Sequence, residues 1–287
     1  MGMPLQRGDE ALWGTHEYDN MKSAFEQRAA RDGIRNNVLD LPLTSMSDEE
    51  IVAAYKNALT PRTRVILVSH VVYLTGQILP VRAICDMAHA RGVDVMVDGA
   101  HAFAQLDYRI PDLHCDYYGA SLHKWLATPL GAGILYVKRE KIAGLWPVFG
   151  DEGAPVDDIR KLNHTGTHPV HTDLGIENAI VFHEAIGIAR KEARLRYLQR
   201  YWSDKVRGLP RIVLNTPADP ARSCGIANVG VAGMKPGDLA KTLLDRYKVW
   251  TVAIDGAGVH GVRVTPQVYT SVAELDAFVR ALKELAA

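Results

Sequence analysis

The chain has 287 residues, 47% of them hydrophobic, and its 33 basic side chains are matched by 33 acidic ones. That apolar content can build one large α/β domain or a large and a small one, which excludes global disorder. The even charge, with no block of like sign, excludes the broad footprint of a nucleic-acid or anionic-lipid binder and leaves small-molecule chemistry as the function class.

The three cysteines, Cys85, Cys115 and Cys224, are widely spaced and form no CxxC, so neither a disulfide framework nor a metal site is expected, and a reducing compartment fits them. The first residues, M-G-M-P-L-Q-R-G-D-E, place charges where a signal peptide needs an apolar run. No uncharged apolar stretch approaches the roughly 18 residues of a membrane span. The expectation is a cytoplasmic protein with neither membrane nor nucleic acid as partner.

Helical spacing over Met21–Arg31 stops at Gly33, and Ile34–Leu41 predicts a strand ended by Pro42. Ser47-Asp48-Glu49-Glu50 is a capping box that opens a helix to about Leu59. R-V-I-L-V-S-H, Arg64 to His70, is a nearly continuous apolar run of the kind found in a parallel strand covered on both faces. Pro80 suits a first helical turn, Val81–Arg91 is amphipathic, Gly92 supplies the left-handed stop, and V-D-V-M-V-D predicts the next strand. Further strands are expected at Cys115–Ala120 and Gly133–Val137, before a Gly/Pro-rich passage near Pro147–Pro155. Two helical stretches, Asp173–Ala189 and Lys191–Arg207, then lead into R-I-V-L-N, I-A-N-V-G-V, a helix over Pro236–Tyr247, G-V-R-V-T and a last helix capped by Ser271 with Glu274. This predicts a large α/β domain over residues 1–170 with a mainly parallel sheet and a smaller C-terminal α/β domain over 171–287.

Open parallel sheets collect ligands outside the carboxyl ends of their strands. His70 and Asp98 end two predicted strands, and S-L-H-K-W-L, Ser121 to Leu126, follows a third. A lysine behind a histidine in an apolar neighbourhood makes sense when the amine must be partly desolvated to lose its proton and act as a nucleophile. The competing reading of Lys124 and Asp98 is a buried structural ion pair in a sugar- or nucleotide-binding α/β protein.

V-D-G-A-H-A (Val97–Ala102), S-L-H-K-W-L, G-T-H-P (Gly166–Pro169) and V-R-V-T-P-Q-V-Y-T (Val262–Thr270) carry a resemblance to the class V branch of fold-type I pyridoxal-phosphate (PLP) enzymes, from roughly Gly8 onward. That branch includes cysteine desulfurases and isopenicillin-N-epimerase-like proteins. The resemblance implies the fold-type I large domain, pyridoxal 5'-phosphate as cofactor, an amino acid as substrate and a homodimer with shared active sites. Residue by residue it implies that Lys124 holds the cofactor as a Schiff base, that Asp98 pairs with the pyridine nitrogen, and that Ser121 and His123 hold the phosphate. Thr167 would reach a phosphate in the neighbouring subunit, Tyr18 would lie over the cofactor ring, and Arg263 would bind the substrate carboxylate. His101 stands where desulfurases have a glutamine near the cofactor hydroxyl and Tyr73 where they have an asparagine before T-G, which moves the reading toward the epimerase-like side.

Val249–Gly261 lacks the late mobile cysteine a desulfurase needs, and Cys224 lies too early for that role. Relatives also carry, well before the position of Tyr18, a Thr- or Ser-bearing helix start that binds the cofactor phosphate. The chain begins too late to include it, so an incomplete large domain is expected. Two functions follow as expectations. One is a PLP-dependent enzyme acting at Cα as aminotransferase, epimerase or lyase, with Tyr18, His70 and Tyr73 as candidates for a second acid. The other is a truncated, weakly active or inactive paralogue that serves as a structural or interaction protein.

Overall fold

The computed structural model describes residues 1–150, 153–163, 166–167 and 170–287. Strand β1 (Glu10–Gly14) runs into helix α1 (Asp19–Asp32), which ends at Gly33 in the left-handed conformation, φ 74°. Strand β2 (Arg35–Leu39) is followed by helix α2 (Asp48–Ala58), whose Ser47 and Glu50 make both bonds of the expected capping box. Then come β3 (Thr63–Ser69), α3 (Val81–His89), β4 (Asp94–Asp98), β5 (Tyr117–Ser121), β6 (Gly133–Val137) and the short α4 (Arg139–Ile142). These strands form one sheet in the order β2-β1-β3-β4-β5-β6, parallel throughout except for the β5/β6 pair.

The continuous apolar run of β3 is explained by its two covered faces. Ile66 and Val68 pack with Ile51 and Tyr55 of α2 and Ile84 of α3, while Val65 and Leu67 pack with Phe25 of α1 and Ile142 of α4. Each such buried aliphatic side chain contributes about 1.5–3 kcal/mol. Strand β1 is a central strand that the sequence reading left unassigned. Its five residues E-A-L-W-G are too few to show a period, and only the neighbours on both sides make it a strand.

Helices α5 (Val170–Ile186) and α6 (Ile188–Val206) are two elements because Gly187 between them takes φ 82°, a conformation closed to most residues. The predicted boundaries at Ala189 and Lys191 therefore shift to this glycine. Beyond them β7 (Ile212–Leu214), β8 (Ala227–Val231), α7 (Pro236–Tyr247), β9 (Val252–Gly256), β10 (Val259–Val264) and α8 (Val272–Ala286) build an antiparallel sheet, order β7-β8-β10-β9. Its covered face packs Val229, Val231 and Val262 against Trp202 of α6, Leu243 of α7 and Phe278 of α8. Among the described residues no helix is long and apolar enough to cross a membrane.

Among the buried polar groups inside this frame is a lysine. Lys191 of α6 is fully buried, and its ammonium donates to the backbone carbonyl of Trp125 with no carboxylate of a described residue in ion-pair contact. Burial pushes its pKa down from 10.5 to about 8. The unfolded chain then holds this proton to higher pH than the native chain does, so Lys191 makes the native state relatively more stable as pH rises from about 8 toward 10.5. Lys191→Met has no such proton. In urea unfolding, the stability of the wild type relative to Lys191→Met should rise by up to about 3 kcal/mol between pH 7.5 and pH 10.5. A gap that stays constant over that range contradicts the assignment.

Candidate active site

The carboxyl ends of three parallel strands lie side by side. Ser69 of β3 is in register with Asp98 of β4, and Asp98 with Gly119 of β5. The order reverses at β1, whose neighbours β2 and β3 lie on opposite sides, and the crevice formed at such a point is where open α/β sheets bind ligands. The segments leaving β1, β3, β4 and β5 carry Tyr18, Tyr73, Asp98 with His101, and Lys124.

Asp98 closes an Asx turn by accepting the Ala100 N–H at 2.9 Å. The rest of its carboxylate takes no hydrogen bond from a described residue. Burial raises its pKa above the ordinary carboxylate value, and the nearby Glu17 adds to this, against the Ala100 bond and the Lys124 charge. The next residue must be glycine on steric grounds, since a Cβ at Gly99 would stand 1.9 Å from the Tyr118 ring. Tyr118 in turn donates its hydroxyl to the Gly99 carbonyl at 3.3 Å. The chain then winds through a short turn, Ala102 and Phe103 bonding back to Gly99, which brings His101 over the end of the sheet.

Lys124 sits on the loop that leaves β5. Leu122, Trp125 and Leu126 are buried on either side of it and anchor the loop, and Leu122 N–H bonds to Ala132 O at 3.0 Å. His183 of α5 donates to Leu126 O at 2.8 Å, and Lys191 holds the Trp125 carbonyl. The Lys124 amine lies 3.3 Å from His101 Nε2 and 5.6 Å from the centre of the Tyr18 ring. Its pKa is lowered, chiefly by burial and further by the Arg263 charge, while Asp98 opposes the shift. No salt bridge joins Lys124 to Asp98, so the buried ion-pair reading does not describe this site. Both residues instead line a cavity of about 480 Å³, together with Tyr18, Asn20, Ala100 and Ser121. A smaller hollow of about 10 Å³ joins them to Ser69, Tyr73 and His101.

Arg263 reaches this region from β10. Its Nη1 donates to the Tyr73 carbonyl at 3.1 Å, its Nε is buried without a partner, and no carboxylate of a described residue lies within ion-pair distance. Desolvation lowers its pKa, against the pull of Tyr73 and Tyr18. A half-buried guanidinium with an unused edge has the geometry to accept a planar anion.

The structure gathers Tyr18, Asp98, His101, Ser121 and Lys124 around one crevice, whereas Arg263 lines neither cavity and reaches its edge through the Tyr73 carbonyl. His123 lines neither cavity, although its Nδ1 is buried and without a hydrogen-bond partner. Thr167 is exposed and lines neither cavity, and the His168 and Pro169 of its motif lie outside the described residues. Of the candidate second acids, Tyr73 lines the small hollow, while His70 is buried edge-on to Tyr108, its pKa depressed to about 4 by desolvation. Among the described residues no group of three or more His, Cys, Asp or Glu side chains is gathered as metal ligands.

Two contributors were missed in the sequence. Glu17 is fully buried beneath Tyr18 and accepts the Ser69 N–H at 3.0 Å as well as the Ser69 hydroxyl, which ties the end of β1 to the end of β3. Its role depends on β1 being a strand, which no local pattern announces. Trp125 donates its indole N–H to His101 Nδ1 at 3.2 Å, a contact that joins residues 24 apart in sequence.

Comparison with known proteins bears on this geometry. The isopenicillin N epimerase of Amycolatopsis lactamdurans is 31% identical over 298 aligned positions, covering 98% of this chain and 75% of that protein. A probable cysteine desulfurase of Vibrio cholerae is 26% identical, covering 97% and 71%. The fold matches the crystal structure of the Escherichia coli cysteine desulfurase CsdA with a TM-score of 0.85 at 23% identity, over 98% of this chain and 73% of that one. It also matches a variant of C-DES with glycine covalently linked to its PLP cofactor, TM-score 0.87 at 22% identity, over 99% and 76%. The family model described as aminotransferase class-V matches residues 1–281, and the chain accordingly belongs to the class-V aminotransferases, a family of PLP-dependent enzymes.

Proposed function

We propose that the protein is a PLP-dependent enzyme acting at Cα of a small amino acid, with Lys124 as the group that holds the cofactor and then moves the α-proton. The observation that carries this reading is the pair Lys124 and Asp98, a depressed amine and a carboxylate facing one cavity with no salt bridge between them. The donor set fits the cofactor. The lysine suits its aldehyde, Asp98 its pyridine nitrogen and Ser121 its phosphate, while His123, which lines neither cavity, offers a buried unpartnered Nδ1 on the same loop. Pyridoxal phosphate bound there supplies an electron sink for the α-carbon. Residues 1–170 would hold it and residues 171–287 would contribute Arg263.

The chain's own residues define the rest. Arg263 orients the substrate through its carboxylate, and Tyr18 shields the cavity from solvent on the side of the amine. Lys124 would take the α-proton as general base, for which a lowered pKa is the physical requirement. Return of a proton to the cofactor side would give amino transfer, return to the opposite face of Cα would give epimerisation, and departure of a substituent from Cβ would give β-elimination. Tyr18 and Tyr73 both line the small hollow beside Lys124 and are the candidates for the second acid, whereas His70 is held behind Tyr108. Persulfide chemistry on a protein thiol is disfavoured because all three cysteines are buried, and burial pushes the Cys224 thiol up to about 12. The exposed apolar side chains of α5, Leu174, Val181 and Phe182, support a homodimer, in which Thr167 could serve the neighbouring site.

The test is exchange of the α-hydrogen in deuterated water across a panel of amino acids, with keto acid, ammonia and the D-enantiomer assayed in parallel. Exchange with at least one amino acid is expected, and the accompanying product assigns the reaction. Absence of exchange from every amino acid in a protein that retains PLP contradicts the proposal. Asp98→Asn should lower the exchange rate by about 10²–10³-fold, because the carboxylate that keeps the ring cationic is gone. An unchanged rate removes Asp98 from that role.

A further inference from the structure

We propose that Trp125 is a positioning residue, whose indole N–H fixes the tautomer of His101 so that the imidazole can only donate toward Lys124 and the lysine must meet it as a neutral amine. The proposal rests on the reading of Lys124 as the reactive amine, and goes beyond it by naming what holds that amine ready.

An indole nitrogen is a donor and never an acceptor. Its bond to His101 Nδ1, at 3.2 Å, therefore uses the lone pair of that nitrogen. The imidazole is held neutral, because desolvation first, and then the charges of Lys124 and Arg263, drive its pKa well below 6.5. A neutral imidazole whose Nδ1 accepts must carry its one proton on Nε2. Nε2 is the atom 3.3 Å from Lys124 Nζ, so the proton points at the amine. An ammonium there would set donor against donor, and the free amine alone offers the lone pair. The opposite tautomer would invert the outcome, since an accepting Nε2 would stabilise the ammonium form.

The indole is built to stay in place. Trp125 is buried among Val71, Ala102, Leu195 and Ile226, and its ring passes so close to Gly225 that a Cβ there would stand 2.8 Å from it. Its carbonyl is held by Lys191. Gln105 holds the backbone of His101, donating to its carbonyl and accepting the Gly225 N–H at 2.7 Å. The other charged or titratable groups facing Lys124 among the described residues are Asp98 from β4, Arg263 from β10, Tyr18 ahead of α1 and Tyr73 after β3.

Two readouts independent of turnover test this on the full chain without added cofactor. The first is the imidazole ¹⁵N spectrum of histidine-labelled protein, with His101 assigned through His101→Gln. His101 protonated at Nε2 and bare at Nδ1 is expected in the wild type, and a shift toward the Nδ1–H form in Trp125→Phe. The second is the pH dependence of Lys124 acetylation by acetic anhydride, read by peptide mass spectrometry. Its midpoint should rise by about one pH unit in Trp125→Phe, with no further rise when that change is added to His101→Gln. A wild-type His101 protonated at Nδ1 overturns the proposal even if Trp125→Phe does not fold, as does a Trp125→Phe protein with unchanged tautomer and midpoint. Borohydride trapping of PLP separates the two readings. Failure to trap on Lys124 with the expected tautomer refutes the function and leaves the positioning intact, while trapping with the wrong tautomer does the reverse.

Discussion

Lys124→Ala should reduce α-hydrogen exchange and product formation by at least about 10³-fold, the scale of losing a positioned general base. The substitution removes both the group that holds the cofactor and the base that takes the proton, so added PLP should not restore the rate. Small primary amines added to the solution should restore part of it, because they can replace the proton acceptor without replacing the tether. The fold should be untouched. Lys124 is half-buried and makes no salt bridge with a described residue, so its truncation breaks no ion pair among them, and the loop remains anchored by Leu122, Trp125 and Leu126. A Lys124→Ala protein that retains wild-type turnover, or that unfolds, contradicts the role given to the residue.

The second large effect belongs to Arg263. Its Nη1 is committed to the Tyr73 carbonyl, so the Nε–Nη2 edge is the part that can take a carboxylate through two parallel bonds. Arg263→Gln keeps a donor but loses the charge and the fork. Truncating one member of a buried charge pair costs about 2–5 kcal/mol, which at 1.4 kcal/mol per tenfold is a loss of about 30- to 4,000-fold in kcat/KM. Most of the loss should appear in KM, because the contact is made with the bound substrate before any bond changes. Arg263→Lys should recover only part, since an ammonium cannot present two parallel N–H groups. Equal KM values for an amino acid and for the corresponding amine lacking the carboxylate would rule out this contact.

The sequence disclosed the chemistry more readily than the frame that holds it. Asp98 and Lys124 were legible because polar residues at the ends of apolar strands stand out, and the apolar run of β3 told of a sheet covered on both sides. The capping boxes at Ser47 and Ser271 both formed as read, since they depend on four adjacent residues. Strand β1 escaped because it is short and gains its identity from β2 and β3, and Glu17 escaped with it. Strand β9 escaped for the same reason, its five residues being held in the sheet by β10 alone. The bond from Trp125 to His101 is long-range, and the burial of Lys191 follows from how α6 packs beneath the lysine loop. No local pattern encodes either. His123 and Thr167 mark a different boundary, since their places in the motifs were clear while neither lines the crevice of the single chain.

The most direct measurement is to incubate the purified protein with pyridoxal phosphate, reduce with borohydride and map the modified peptide by mass spectrometry. The account predicts one phosphopyridoxyl group per chain, on Lys124, lost in Lys124→Ala and weakened in Asp98→Asn. Labelling spread over surface lysines with Lys124 unmodified, in protein that remains folded, would contradict it.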